Sequence, residues 1–169
     1  MNEAPPLRPS PLNADHRLAA FGCGESELDA YLWRFALGNQ SSGKSRTYVS
    51  TSSGEVIAYY SLAPFSVGVR EVPARIAAGQ GRQDIPVILI GRLAVDVRYQ
   101  GAGLGSQMLL DALLRSAQGA EIIGGRAVLV HAKSARARDF YLRHGFDQTP
   151  SSDQHLMMLL KDVRETLGL

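Results

Sequence analysis

A strand, a glycine-rich loop and a helix follow one another between Val87 and Leu114, and this segment constrains the fold more than any other. The apolar run from Val87 to Val97 is broken only by a glycine, an arginine and an aspartate, which is typical of a strand buried on both faces. From Leu104 onward, apolar residues recur with helical spacing. Such a loop directs the backbone N–H groups of the first helical turn at one point, where the helix dipole also favours negative charge. The segment therefore predicts a phosphate-binding loop.

The spacing of the glycines narrows the kind of phosphate site. No Gly-Lys-Ser/Thr follows them as in a Walker loop, and they lack the G-x-G-x-x-G spacing of a dinucleotide-binding fingerprint. The loop reads Gln100-x-x-Gly103-x-Gly105 instead. The alternative interpretation of so short a motif is a glycine turn that joins two elements and binds nothing.

Length and composition limit the class of protein. The 169 residues suit one domain over residues 1–169, and residues 1–12, which hold four of the eight prolines, are expected to form a flexible arm. No apolar run approaches the roughly 20 residues that span a bilayer, and the N-terminus lacks a signal peptide, so a cytoplasmic protein without a membrane segment is expected. The single cysteine, Cys23, excludes an internal disulfide, and no metal site is predicted.

The remaining periodicity predicts the order of the elements. Helical spacing begins at Glu25 and ends in the polar stretch Gly38–Ser45, and the β-rich runs Thr47–Thr51 and Val56–Leu62 predict a hairpin. Later predictions are a long connection over Pro64–Asp84 with a short helix near Pro73–Ala78, a strand over Arg126–Ala132, a helix over Ser134–His144 and a strand over His155–Leu160. This order predicts an α/β fold, with a mixed central sheet flanked by helices.

The helix from Ser134 carries a second group of candidate residues. Ser134 suits the N-cap and Gly145 the residue after the last helical turn. Tyr141 lies on the apolar face of this helix, where an isolated tyrosine is most simply a core aromatic. It also belongs to the motif FYLRHGF, which runs from Phe140 to Phe146.

The loop, this motif and the order of elements together resemble the GNAT N-acetyltransferases, which share a Gln/Arg-x-x-Gly-x-Gly/Ala loop and an F-Y-x-x-x-G-F signature. The resemblance implies the GNAT fold, with splayed central strands that form an acetyl-CoA cleft. It also implies that loop amides hold the pyrophosphate, that the strand end pairs with the pantetheine arm, and that Tyr141 is the general acid for the CoA thiolate. The implied cofactor-binding residues are Leu93, Ala94, Val95, Arg98, Gln100, Gly101, Ala102, Gly103, Leu104, Gly105 and Ser106.

A general base is harder to find, because no carboxylate lies between Val87 and Val95. A lysine side chain, with a pKa of about 10.4, would need a base, whereas an α-amino group at about 7.7 to 8.0 is already partly neutral at cellular pH. An α-amine, possibly on an aminoacyl ester, is therefore the easier acceptor. A water molecule or a residue elsewhere in the chain remains an alternative source of the base.

A narrower resemblance covers the chain from about Leu12 to Leu160. The segment Phe21–Val49 has the F-x-C-G, L-D-x-Y/W-L and G-x-x-R-T-Y-V elements of GNAT-family toxins from bacterial type II toxin–antitoxin systems, and GRLAVD over Gly91–Asp96 also matches. The resemblance implies a toxin that acetylates the α-amino group of the amino acid on charged tRNA and inhibits translation. It further implies a homodimer and a small ribbon-helix-helix antitoxin.

The charge pattern permits tRNA as a substrate. The formal net charge of +2 is too small to indicate a nucleic-acid partner by itself, but clustered cations would neutralise phosphates. The candidate tRNA-binding residues are Arg34, Lys44, Arg46, Arg75, Arg82 and Arg92. The alternative for these residues is that their charges are scattered over a solvated surface. The alternatives for the function are a conventional GNAT enzyme acting on a small amine or a protein N-terminus, and a binding module without catalytic activity.

Overall fold

The computed structural model describes residues 4–169, and its elements follow the predicted order. The strands are β1 (Ser10–Pro11), β2 (Arg46–Ser52), β3 (Glu55–Val67), β4 (Ile85–Val95), β5 (Ala127–His131), β6 (Asp147–Thr149) and β7 (Ser152–Leu159). The helices are α1 (Ser26–Ala30), α2 (Ala36–Ser41), α3 (Ala74–Ala77), α4 (Leu104–Ile123), α5 (Ala135–Arg143) and α6 (Leu160–Leu167). The strands form a mostly antiparallel sheet in the order β1-β2-β3-β4-β5-β7-β6, which confirms the predicted mixed α/β class.

The described chain divides into two compact units. The first unit holds the residues up to Ala63 together with Arg92–Ala112, and the second holds Pro64–Gly91 together with Leu113–Leu169. β3, β4 and α4 each begin in one unit and end in the other. The prediction of one domain over residues 1–169 stays a prediction.

In the first unit, the predicted hairpin is confirmed. β2 and β3 pair antiparallel, with Val49 opposite Tyr59. Ser53 and Gly54 connect them with φ values of 51° and 80°, the left-handed conformations that a tight hairpin turn requires. Below the hairpin lies a buried cluster made of Leu12, Phe21, Cys23, Tyr31, Leu32, Ala36, Val49, Val56, Tyr59 and Ala94.

The N-terminal segment lies along β2, although a flexible arm is expected there. The backbone N–H groups of Leu7 and Leu12 donate to the carbonyls of Thr51 and Thr47, each at 2.8 Å. The prolines between them restrict the chain to extended conformations, which suits an edge strand and leaves these donors to pair with β2. Residues 1–3 of the expected arm lie outside the described residues.

The predicted helix after Glu25 contains a break in its regular spacing. A π-helical turn over Tyr31–Phe35 joins α1 to α2, which continues past Gly38, where the sequence predicts an end. The wider turn shifts the register of the apolar face. As a result Tyr31 and Leu32 are buried, whereas Phe35 is 55% exposed.

The second unit has its own core around the parallel pair β4 and β5. Their register runs from Val87 opposite Ala127 to Ile90 opposite Val130, and β7 then pairs antiparallel with β5. The core consists of Val72, Ile76, Ile85, Val87, Ala127, Leu129, Met157 and Leu159. β6 and α6 are additions that the sequence does not predict. No helix within residues 4–169 has the length and apolar character needed to cross a membrane.

Candidate active site

In the first unit, Asp96 fixes the start of the predicted phosphate-binding loop. This side chain is 1% exposed and caps the short 3₁₀ turn Val97–Tyr99. Its carboxylate accepts hydrogen bonds from the backbone of Gly22 at 3.1 Å and of Arg98 at 2.9 Å, and from Nε of Arg98 at 2.9 Å. Burial favours a higher pKa for this carboxyl, but the hydrogen bonds from Arg98 and Gly22 hold the pKa below its ordinary value. Asp96 is therefore an ionised anchor.

Gln100 ties the loop to two neighbouring segments. Its side-chain amide donates to the carbonyl of Cys23 at 3.0 Å and to that of Val95 at 2.8 Å. Both donor hydrogens of this amide are thus engaged within the protein. The side chain of Gln100 therefore holds the loop in place, and the assignment of Gln100 to the cofactor site stays a prediction.

The glycines give the loop its shape. Gly101 and Gly103 have φ values of 83° and 87°, a left-handed conformation that costs other residues free energy. The carbonyl of Gly103 accepts from the backbone N–H of Gln107, so the first turn of α4 begins directly after it. The amides of Leu104 and Gly105 lie in this turn and have no acceptor within the helix. These groups fit a pyrophosphate.

The end of β4 leads into the loop. The last pair between β4 and β5 joins Ile90 to Val130, and Leu93, Ala94 and Val95 continue beyond it. A strand end that continues beyond its ladder can pair through its backbone with an extended ligand. Ala94 is 5% exposed and belongs to the buried cluster of the first unit, which fixes this stretch.

Cys23 has a structural role in the same unit. Its backbone N–H donates to the Asp29 carboxylate at 2.9 Å, and its thiol contacts the carbonyl of Glu25 at 3.6 Å. Burial, together with the neighbouring Asp29, raises the pKa of the thiol to about 11. The thiol is thus protonated at neutral pH and unsuited to act as a nucleophile.

In the second unit, Tyr141 lies in a frame of aromatic rings on α5. Its ring packs edge-on against Phe140 at 5.2 Å and Phe146 at 5.4 Å, and it is 6% exposed. Burial raises the pKa of its phenol, so the hydroxyl keeps its proton throughout the physiological range. It can therefore act as a proton donor.

The ends of α5 agree with the sequence prediction. The Ser134 hydroxyl accepts from the backbone N–H of Ala137 at 3.1 Å, as an N-cap does. After the helix, Gly145 has a φ of 92°, and the carbonyl of Tyr141 accepts from the backbone N–H of Phe146 at 3.1 Å. This turn sets the position of Tyr141 relative to Phe146.

Two histidines on the paired strands β5 and β7 were not predicted as candidates. His131 and His155 are cross-strand partners whose rings stack at 4.2 Å. Nε2 of His131 is buried and has no hydrogen-bond partner among residues 4–169. Burial, followed by the charges of His155 and Lys133, lowers the pKa of His131, so its ring is neutral at pH 7. The sequence signal for this pair is that each histidine lies near one end of a predicted strand, Arg126–Ala132 or His155–Leu160.

The candidate tRNA-binding cations have different surroundings. Arg75 forms a two-pronged ion pair with Asp162 at 2.7 and 3.0 Å. Arg92 lies over the Tyr31 ring, 3.7 Å from its centroid, and the Tyr31 hydroxyl is 2.9 Å from that of Ser45, which separates Lys44 from Arg46. The structure thus brings Arg92 close to the segment that holds Lys44 and Arg46. Arg34 and Arg82 are exposed.

Comparison with known proteins assigns the class. Residues 43–148 match the family model for an acetyltransferase (GNAT) domain. The chain belongs to the GNAT family and is an acetyl-CoA-dependent N-acetyltransferase. Over 151 residues it is 44% identical to a tRNA-acetylating toxin of Mycobacterium tuberculosis, covering 89% of this chain and 90% of that protein. A probable toxin TacT of Sinorhizobium fredii is 29% identical over 163 residues, which cover 90% of each chain.

Solved structures with the same fold come from toxin–antitoxin systems. AtaT complexed with acetyl-methionyl-tRNAfMet has a TM-score of 0.86 at 24% identity, covering 95% of this chain and 98% of that chain. A Tyr-to-Phe mutant of KacT has a TM-score of 0.85 at 23% identity, covering 90% and 92%. The AtaT–AtaR complex bound to DNA has a TM-score of 0.79 at 25% identity, covering 96% and 100%. The predicted GNAT fold is confirmed.

Proposed function

We propose that this chain is a toxin that transfers the acetyl group of acetyl-CoA to the α-amino group of the amino acid on charged tRNA and so inhibits translation. The observation that carries the proposal is the 44% identity with a tRNA-acetylating toxin over 89% of the chain. The loop after β4 and the buried phenol of Tyr141 supply the two groups that such a transfer needs.

The cofactor is assigned to the first unit. When bound, acetyl-CoA supplies an activated thioester. The amides of the loop and of the first turn of α4 would hold its pyrophosphate, because they are donors at the positive end of a helix of 20 residues. The residues assigned to the cofactor are Leu93, Ala94, Val95, Arg98, Gln100, Gly101, Ala102, Gly103, Leu104, Gly105 and Ser106. Within this set, Gln100 acts by fixing the loop, and Arg98 by fixing Asp96.

Tyr141 is assigned as the general acid. Attack by the amine forms a C–N bond and breaks the C–S bond, so the leaving sulfur needs a proton. A phenol with a raised pKa and an apolar setting is protonated before the reaction, and transfer from a positioned acid contributes roughly 10²- to 10⁴-fold to a rate. Phe140 and Phe146 hold the phenol ring in place.

The acceptor is assigned from the absence of an acidic base on β4. Between Ile85 and Val95 this strand carries no carboxylate. An α-amine with a pKa of about 7.7 to 8.0 is partly neutral without help, and esterification of the adjacent carboxyl lowers that pKa further. The amino acid on charged tRNA has such an amine. The residues assigned to tRNA phosphates are Arg34, Lys44, Arg46, Arg75, Arg82 and Arg92.

The partners follow from the same proposal. AtaT binds the antitoxin AtaR, the AtaT–AtaR complex binds DNA, and KacTA also forms a complex with DNA. We assign to this chain a small antitoxin of the ribbon-helix-helix type and a homodimeric state. Its place of action is the cytoplasm, because charged tRNA and acetyl-CoA are both found there.

The experiment that tests the proposal follows radiolabelled acetyl from acetyl-CoA to bulk charged tRNA. Parallel reactions contain the same tRNA after deacylation, free amino acids, and peptides. We expect label only with charged tRNA, and we expect mild alkali to release it together with the amino acid. Label on peptides or small amines, with charged tRNA blank, would retain the acetyltransferase and refute the toxin.

A further inference from the structure

Arg92 is a half-buried cation that lies on an aromatic ring. Within residues 4–169 no carboxylate forms an ion pair with it, and its contact is with the ring of Tyr31, 3.7 Å below the guanidinium. Four other arginines do pair with acids: Arg75 with Asp162, Arg98 with Asp96, Arg138 with Asp153, and Arg164 with Glu121. A half-buried cation without a counter-charge suits an anionic ligand.

The ring under Arg92 is held rigidly. Tyr31 is 3% exposed, its hydroxyl is 2.9 Å from that of Ser45, and its ring stacks on Tyr59 at 6.2 Å. The Tyr59 hydroxyl in turn donates to the carbonyl of Leu28 at 2.6 Å. A guanidinium lying on a fixed aromatic face keeps the N–H groups at its edge available, and this planar fork matches a phosphate.

The position of Arg92 relates this cation to the acceptor. It directly precedes Leu93, the first residue of the strand end that we assign to the pantetheine arm. The acceptor amine has to reach the thioester end of that arm. In charged tRNA the amine lies at the end of an unpaired 3′ strand whose nearest anions are its own phosphates. Lys44 and Arg46 are the chain neighbours of Ser45, whose hydroxyl is 2.9 Å from that of Tyr31, and they add positive charge to this segment.

We infer that Arg92, oriented by the Tyr31 ring, binds a phosphate of the unpaired 3′ strand of charged tRNA. The inference rests on the proposed function and names the group that holds the acceptor strand. Tyr31 is a positioning residue, because it acts through Arg92. Arg92 is one of six candidates from the sequence, and the structure separates it from the other five by its half-buried position over an aromatic ring.

The test compares charged-tRNA and acetyl-CoA kinetics in wild type and in Arg92→Gln, together with the salt dependence of tRNA binding. We expect the KM for charged tRNA to rise roughly 10- to 100-fold, as for the loss of a charge-assisted hydrogen bond, with the KM for acetyl-CoA unchanged. The slope of log affinity against log salt should fall by about 0.7, the value for one phosphate of a single strand.

Two further variants control for charge and folding. Arg164→Gln removes the same charge from a surface pair with Glu121 at 3.8 Å and should keep both the KM and the salt slope of wild type. Arg92→Lys keeps a cation over the ring but loses the planar fork. It should therefore fold normally and keep the salt slope, with a raised KM for charged tRNA.

The outcomes separate this inference from the proposed function. If wild type does not acetylate charged tRNA at all, the proposed function fails. If wild type is active but Arg92→Gln keeps its KM and salt slope, Arg92 does not bind the acceptor strand. A rise in the KM for acetyl-CoA alone would assign Arg92 to the cofactor and overturn the inference. An unchanged KM for charged tRNA in Arg92→Lys would also overturn it.

Discussion

Asp96 in the first unit and Tyr141 in the second are both almost fully buried, yet the structure keeps one charged and the other neutral. Asp96 accepts four hydrogen bonds from Gly22 and Arg98, and these keep its pKa below the ordinary value in spite of burial. Tyr141 lies among aromatic rings, and burial raises its pKa. The difference shows that the partners of a buried group, and not burial alone, decide its charge.

Each charge state suits the role proposed for its region. A loop that offers its amides to a phosphate has to be held by other groups, and the ionised Asp96 does this through side-chain bonds. A general acid has to carry its proton before the reaction, and the apolar setting keeps the phenol of Tyr141 protonated. The two regions are thus stabilised by different forces, which substitutions can separate.

The largest expected effect is that of Tyr141→Phe. The change removes the transferable proton and keeps the ring packing, so we expect kcat to fall roughly 10²- to 10⁴-fold. Steady-state kinetics with charged tRNA measure this loss, and calorimetric binding of acetyl-CoA, which should not change, is the control. An unchanged kcat would mean that Tyr141 is a core aromatic with no part in proton transfer.

Asp96→Ala tests the polar region. The change removes an N-cap and leaves the partly buried N–H of Gly22 without its acceptor, so we expect the free energy of unfolding to fall by about 2–4 kcal/mol. Urea denaturation measures the loss, and the KM for acetyl-CoA should rise with it because the loop loses its anchor. Asp96→Asn, which keeps an acceptor oxygen but no charge, should fall between Ala and wild type.

The charge of Asp96 also predicts a dependence on pH. Because its pKa is lowered from 3.8 on folding, the stabilisation is fully present above that value and is lost as the pH falls through the pKa of the folded state. Asp96→Asn should remove this part of the acid dependence. A parallel acid transition in wild type and Asp96→Asn would show that the carboxyl is not held in its ionised form.

Gly145→Ala tests the turn that positions Tyr141. With a φ of 92° at this position, a side chain costs about 1–2 kcal/mol of stability, whereas the space itself is adequate, since the new Cβ would lie 3.5 Å from Met158. Gly38→Ala is the matched control, because Gly38 lies in α2 with nothing within 4 Å of its Cβ position. That change should stabilise the protein by about 0.5–1 kcal/mol. Thermal unfolding distinguishes the two.

The importance of partners, seen for Asp96 and Tyr141, also explains which parts of the fold are predictable from the sequence. The hairpin, the caps of α5 and the glycine loop have local signals: a Ser-Gly turn, a serine before an amphipathic run, and glycines where φ is positive. The π-helical turn has no such signal, and with it Phe35 is 55% exposed although helical spacing begins at Glu25. The pairing of residues 4–12 with β2 and the formation of β6 depend on partners elsewhere in the chain. The polar residues Asp147–Thr149 have no pattern of their own that predicts a strand.

In the candidate site, too, the sequence predicts which residues matter but not which distant groups they contact. The motifs identify Tyr141 and the loop, and membership of the family supports acetyl-CoA chemistry. They do not show that Gly22 donates to Asp96 across 74 positions, or that Gln100 donates to Cys23 across 77. These pairs arise only when the segment around Phe21 packs beside the loop. The roles of the individual site residues stay predictions that the variants above test.

The smallest expected effect concerns His131, a half-buried group of the second unit whose Nε2 is buried. Its pKa is lowered from 6.5, first by burial and then by the facing His155 and by Lys133, so the folded state binds fewer protons than the unfolded chain near pH 6. Stability should thus be fully present above pH 6.5 and decline as the pH falls through the lowered value. His131→Gln should flatten that decline in denaturation curves measured from pH 7.5 to 5.5, and His155→Gln should flatten it in part, since one of two causes is removed. If the stability of His131→Gln declines with falling pH as much as that of wild type, burial does not keep the His131 ring neutral. Tyr141 would then be the remaining example of a buried neutral group to set against the ionised Asp96.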